Sequence, residues 1–105
     1  MRGPFLLKPL QVDLSVPASV GGVYCLGNDR DHVMVVGRAE THLSQALKDF
    51  WKEFQFFWYE PALSPRECYT IQCRQYHRLL DKGELADKTH PKPDNTDFKC
   101  PVCGA

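Results

Sequence analysis

Residues 21–38 read GGVYCLGNDRDHVMVVGR. Two apolar runs flank a polar link. Residues 21–27 have strand character, Asn28, Asp29, Arg30 and Asp31 read as a turn, and residues 32–36 form a second run rich in β-branched side chains, closed by Gly37. Short apolar runs joined by a short polar link predict a β-hairpin. Neither run alternates with polar residues, so both faces of this hairpin should be covered by other elements.

The flanks extend that frame. Thr41 is a plausible N-cap, and Leu43, Ala46, Leu47 and Phe50 follow at helical spacing, predicting a helix over 42–51. Residues 54–59 (FQFFWY) read as an aromatic strand ended by Pro61. An aromatic run can also serve as an exposed platform for stacking bases. A core strand is the favoured reading, because aromatic side chains dominate the cores of small domains. Ser64-Pro65-Arg66-Glu67 combines an N-cap, a proline at the first helical position and the glutamate of a capping box. That helix should run to about Asp81 and stop at Gly83. Upstream, residues 1–18 carry three prolines and read as an N-terminal arm with at most a short extended piece at 10–16. The predicted order β-β-α-β-α gives an α+β fold: a small three-stranded, mainly antiparallel sheet flanked by helices. Residues 19–105 form one domain, ending in a tail.

Four residues suggest what holds that tail. Cys73 and His77 are spaced C-x3-H, and after 22 intervening residues Cys100 and Cys103 form C-P-V-C-G. Residues four apart on a helix project from one face, one turn apart. A C-x2-C turn offers two thiolates to one metal. Three thiolates and an imidazole make a closed tetrahedral Zn2+ site of the structural kind. His90, in the loop ahead of Pro91, is the alternative to His77. A redox pair is the competing reading of Cys100 and Cys103, but such pairs usually open a helix in a βαβ setting. Cys25 and Cys68 read as small core residues.

Composition narrows the class. The chain has 105 residues, 43% hydrophobic and 25% charged, with zero formal net charge. No global basic signature calls for nucleic acid, so such binding would need a local patch, for which Arg38, Arg66, Arg74 and Arg78 are candidates. The only early apolar run, Phe5-Leu6-Leu7, is too short for a signal peptide or a membrane span. A cytoplasmic location with reduced thiols is expected, which suits a metal site better than disulfides.

The order of these pieces resembles the GIY-YIG nuclease superfamily. Gly22-Val23-Tyr24 opens the first strand, Val35-Val36-Gly37-Arg38 closes the second, and a helix, an aromatic strand and a long helix follow. The similarity spans about 20–87, and the added C-x3-H and C-P-x-C-G resemble a zinc-containing branch. In active members, the resemblance implies two tyrosines near the scissile phosphate, an arginine on the first helix, and a glutamate on the long helix holding a divalent cation such as Mg2+. Tyr24 matches the first tyrosine and Gly37 the closing glycine. Val35 stands in place of the second tyrosine, Gln45 or Ala46 in place of the arginine, and Gln72 in place of the glutamate. Asp87 corresponds to the asparagine usually found after the long helix. Tyr24, Arg38 and Gln72 are therefore the remnant positions of a catalytic site. A carbonyl serves Mg2+ less well than a carboxylate. The expectation is a degenerate domain with a structural zinc that binds nucleic acid or a protein without cutting. The alternatives are a Mg2+-dependent endonuclease with relocated groups (His32, His42, Glu67 or Asp87) and a zinc-stapled protein-interaction module.

Overall fold

The computed structural model describes residues 1–104, which form β1 (Arg2–Leu6), α1 (Pro9–Ser15), β2 (Gly21–Gly27), β3 (Val35–Ala39), α2 (Leu43–Lys48), β4 (Phe56–Ala62) and α3 (Pro65–Lys82). The sheet is antiparallel throughout, in the order β1-β4-β2-β3. The central strand β2 pairs Tyr24 with Gly37 on one side and with Tyr59 on the other. Side chains alternate between faces along a strand, and the two faces are covered by different helices. Leu26, Phe57 and Tyr59 pack with Val12 of α1 and with Leu43 and Leu47 of α2. Cys25, Val23 and Trp58 pack on the other face with Cys68, Tyr76 and Leu79 of α3. The covered two-sided hairpin is thus a three-layer arrangement.

The sheet has four strands, not the expected three, because the N-terminal arm joins it. Arg2, Phe5 and Leu6 pair with Tyr59, Phe57 and Phe56, with an irregularity between Arg2 and Phe5. The reason is physical: without β1, the aromatic strand β4 would present an unpaired edge. Phe5 also stacks at 5.3 Å on Phe57 and 6.0 Å on Tyr59. The 10–16 segment is helical rather than extended. Pro9 occupies its first turn, where a missing N–H costs nothing, and Val12 is fully buried. The Tyr59 hydroxyl donates to the Ser15 carbonyl at 2.6 Å, tying the end of α1 to the sheet.

Other boundaries shift. The second strand of the hairpin is Val35–Ala39, three residues later than expected, so Gly37 lies inside it. A Cβ at Gly37 would fall within the Tyr24 ring; glycine here makes room for its cross-strand partner rather than ending the strand. The helix expected over 42–51 is regular only over Leu43–Lys48. β4 continues through Pro61 to Ala62, which is tolerated because β1 has already ended and the strand has one neighbour there. α3 begins and ends as read: the Ser64 Oγ accepts from the Glu67 N–H at 3.1 Å, and Gly83 closes it at φ 72°. No helix among the described residues is long and apolar enough to cross a membrane.

Candidate metal centre

α3 delivers the first part of the site. Its capping fixes where the helix starts, and from there Tyr69, Cys73 and Tyr76 turn toward the protein while His77 follows one turn after Cys73. Beyond Gly83 the described residues form no helix or strand, yet they lie against α3. Leu85 is buried beside Tyr76 and Leu79. The Ala86 N–H donates to the Met34 carbonyl at 2.9 Å. The Tyr76 hydroxyl donates to the Lys88 carbonyl at 2.6 Å, and that of Tyr69 to the Pro91 carbonyl at 3.3 Å. Arg38, on β3, donates to the Lys92 carbonyl at 2.6 Å and lies 3.6 Å from Asp94. Phe98 then packs on Tyr69, Cys73 and Cys100, with the Arg66 guanidinium 4.8 Å from its ring centre. Side chains of the folded body thus grip the carbonyls of a segment that cannot make its own ladder.

This path gathers His77, His90, Cys100 and Cys103, whose ligand atoms all lie within 4.8 Å of one another. His77 Nε2 and His90 Nε2 are 3.2 Å apart, and Cys103 Sγ is 3.3 Å from His90 Nε2. Ligands on a tetrahedral Zn2+, at about 2.0 Å for nitrogen and 2.3 Å for sulfur, stand about 3.3 Å (N···N) and about 3.5 Å (N···S) apart. The group can therefore hold a metal ion with little movement. His90 is prepared for it: its Nδ1 lies 2.7 Å from the Pro91 carbonyl, which fixes the proton on Nδ1 and leaves the Nε2 lone pair facing the cluster. Tyr76 packs edge-on to both imidazoles, at 5.1 Å and 5.3 Å, setting their orientation.

Cys73 stands beside the group rather than within it. It is fully buried against Tyr69 and Cys100. Burial pushes its thiol up to about 12, with the neighbouring Cys100 adding to the rise. At Cys100 burial also acts upward, but the N–H groups of Cys103 and Val102 and the side chains of His90 and Cys73 outweigh it and bring the thiol down to about 5. The protein alone thus favours a thiolate at Cys100 and a neutral, hydrogen-bonding thiol at Cys73. Burial likewise lifts the Tyr69 phenol to about 12, keeping it a donor. The signal that marked His90 in the sequence was its place before Pro91 within reach of the C-x2-C turn. What the sequence lacked was the set of clamps that pins residues 88–92 to α3.

The remnant catalytic positions do not converge. Arg38 and Gln72 meet: Arg38 Nη1 donates to Gln72 Oε1 at 2.7 Å, and Gln72 is buried. Arg38 also approaches Glu40 at 3.4 Å and covers the Tyr69 ring. Tyr24 lies on the opposite face, beside Phe50 at 5.9 Å, where burial raises its pKa. Val35 pairs with Leu26. Gln45 bonds Asp49, and His32 bonds Asp29 at the surface. The Glu67 carboxylate accepts from the Leu63 N–H just ahead of α3, and Asp87 accepts from the Thr89 N–H. No protein-family model, curated protein or solved structure matches this chain.

Proposed function

We propose that the chain is a zinc-stapled, catalytically degenerate GIY-YIG-like domain that works by binding, and that the zinc is structural. The observation that supports the reading is the His77, His90, Cys100 and Cys103 group, through which a bound ion would tie an otherwise irregular tail to α3. Four protein donors leave no open position for a water or a substrate. The separation of Tyr24 from Arg38 and Gln72 supports the non-catalytic half. A phosphodiesterase needs its cation, its base and its cationic side chain around one phosphorus, and Arg38 is engaged by Gln72, Glu40 and the tail. Cys73 is assigned the role of a hydrogen-bond donor to the Cys100 thiolate, in the manner of groups that support metal ligands from behind.

Metal analysis of the purified protein should find about one zinc per chain, the stoichiometry of a single four-ligand site. With Co2+ in its place, the sulfur-to-metal absorption should have the intensity of two thiolates. Cys73→Ala should keep it, and Cys103→Ala should halve it. A three-thiolate spectrum would return Cys73 to the ligand set; a protein that binds no metal would remove the reading. Plasmid and branched DNA with Mg2+ or Mn2+ should remain uncut, and cleavage abolished by Tyr24→Phe would refute the degenerate assignment.

A second reading, a module for protein partners, is favoured by α1. Leu10 and Leu14, one turn apart, are 72% and 75% exposed. Sedimentation of the wild type and of a Leu10→Ser/Leu14→Ser variant tests whether a second copy covers them.

A further inference from the structure

Arg38 contrasts with two other arginines. A cleft of about 230 Å3 opens between the β2–β3 loop, β4 and the C-terminal end of α3. Arg30, Arg78 and Lys82 line it, together with Asp31, Glu84 and the half-buried indole of Trp58. Among the described residues, none of these three cations has a carboxylate within 4.0 Å. Arg78 is instead oriented by a neutral group, donating to Gln75 Oε1 through Nε at 3.1 Å and Nη2 at 2.6 Å. Arg30 rests over the Phe56 ring at 5.0 Å. The guanidiniums are thus positioned without a direct ion pair, with Asp31 and Glu84 sharing the cleft. Lys82 also suits the last turn of a helix for dipole reasons, but that does not account for Arg30, which comes from a different element.

We propose that this cleft binds a phosphate monoester carried on a flat ring, the chemistry of a nucleoside monophosphate. Planar guanidiniums pair bidentately with phosphate oxygens. Trp58 supplies an aromatic wall for the ring. Asp31 and Glu84 accept from sugar hydroxyls or ring amines, which a bare phosphate lacks. The volume is below the roughly 300–1,000 Å3 of ordinary small-molecule pockets, so the cleft seats the phosphate and one face of the ring, with the rest of the unit in solvent. The same chemistry comes from a free nucleotide or from the phosphorylated end of a single strand. The inference rests on the reading of this chain as a binding domain.

The test uses the full chain carrying Trp51→Phe, which leaves Trp58 as its one tryptophan. Its fluorescence is titrated with adenosine monophosphate, adenosine, inorganic phosphate, and a short oligonucleotide with either a phosphorylated or a hydroxyl end. Saturable change with the monophosphate, weakened about tenfold or more by Arg30→Ala and by Arg78→Ala and unaffected by Arg66→Ala, establishes the site. Response to the phosphorylated oligonucleotide alone also establishes it and identifies a strand end as the source. Inorganic phosphate binding as tightly as the monophosphate overturns the ring-bearing class. No saturable response, or one that survives the Arg30→Ala/Arg78→Ala pair, overturns the site. Where the monophosphate gives no saturable response, salt-dependent binding to branched DNA that persists in that pair leaves the general binding reading standing while this one falls. Circular dichroism confirms that each variant is folded.

Discussion

Leu26, Phe57 and Tyr59 on one face of the sheet meet α1 and α2, whereas Cys25, Val23 and Trp58 on the other meet α3. The first side is closed by apolar contact between large side chains, several of them fully buried: Leu26, Leu43, Leu47 and Phe57. Beyond α3, on the second side, lies a segment with no secondary structure, held by hydroxyls, a guanidinium and a cluster of imidazoles and thiols. Burial of apolar area does not depend on protons or ions. A cluster of ligands depends on both. On the proposed reading, one side of the molecule is stable on its own terms, and the tail on the other depends on a bound ion.

The largest expected effect would make that difference visible. Chelation, or Cys100→Ser, should destabilise by several kcal/mol, since binding energy at a structural metal is folding energy. At about 4–8 °C per kcal/mol for a domain near this size, the melting temperature should fall by tens of degrees. Hydrogen exchange should show protection lost first in the tail, around Ala86, Phe98 and Gly104, while β2 and β4 keep theirs. Equal loss on both sides would break the comparison. Next comes Leu47→Ala, at a fully buried site against β2. It should cost about 2–5 kcal/mol by denaturant titration, and the same with and without chelator.

Arg38→Ala should cost less, about 1–3 kcal/mol, because it leaves the buried Gln72 carbonyl and the Lys92 carbonyl without their donor. Metal affinity measured by competition should fall with it, since residues 88–92 carry His90. An unchanged affinity would show that the clamps are not needed to place the ligand.

The pH dependence sharpens the same contrast. The Cys100 thiol sits at about 5 in the folded chain against an ordinary value near 9. A depressed acid contributes stability that is fully present above its unfolded value and is lost as pH falls through the folded one. In chelated protein the residual stability of the tail should therefore fall further as the pH drops from about 9 to about 5, with the sheet unchanged over that range. Smallest of all is Ser64→Ala, which removes the α3 cap for about 1 kcal/mol. Gly is the milder replacement there, and a chevron or melting comparison of the two would separate the lost hydrogen bond from the backbone preference.

What could be read from residues alone follows from how local each signal is. The hairpin partnership of Tyr24 and Gly37 was legible because both runs and their link lie within a short window. Both ends of α3 were legible because capping chemistry is set by the few residues at the ends: Ser64, Pro65 and Glu67 at one, Gly83 at the other. The C-x2-C turn and His77 pointed for the same reason to residues that the fold gathers into a group able to hold a metal, whereas the one-turn spacing of Cys73 and His77 pointed to a pair that this group does not contain.

Tertiary contact decided the rest. Residues 2–6 become a strand only because β4 offers an edge, and Pro9 opens a helix only because Val12 finds a place under the sheet. His90 takes its place beside His77 through the hydroxyls of Tyr69 and Tyr76 and the guanidinium of Arg38, which are remote from it in sequence. Tyr24 and Arg38 fall on opposite faces, so adjacency in a motif did not become adjacency in space. Spacing along a chain fixes which side chains share a turn. Which of them share a metal, or a phosphate, depends on closing long loops, and that is determined by the packing of the whole domain.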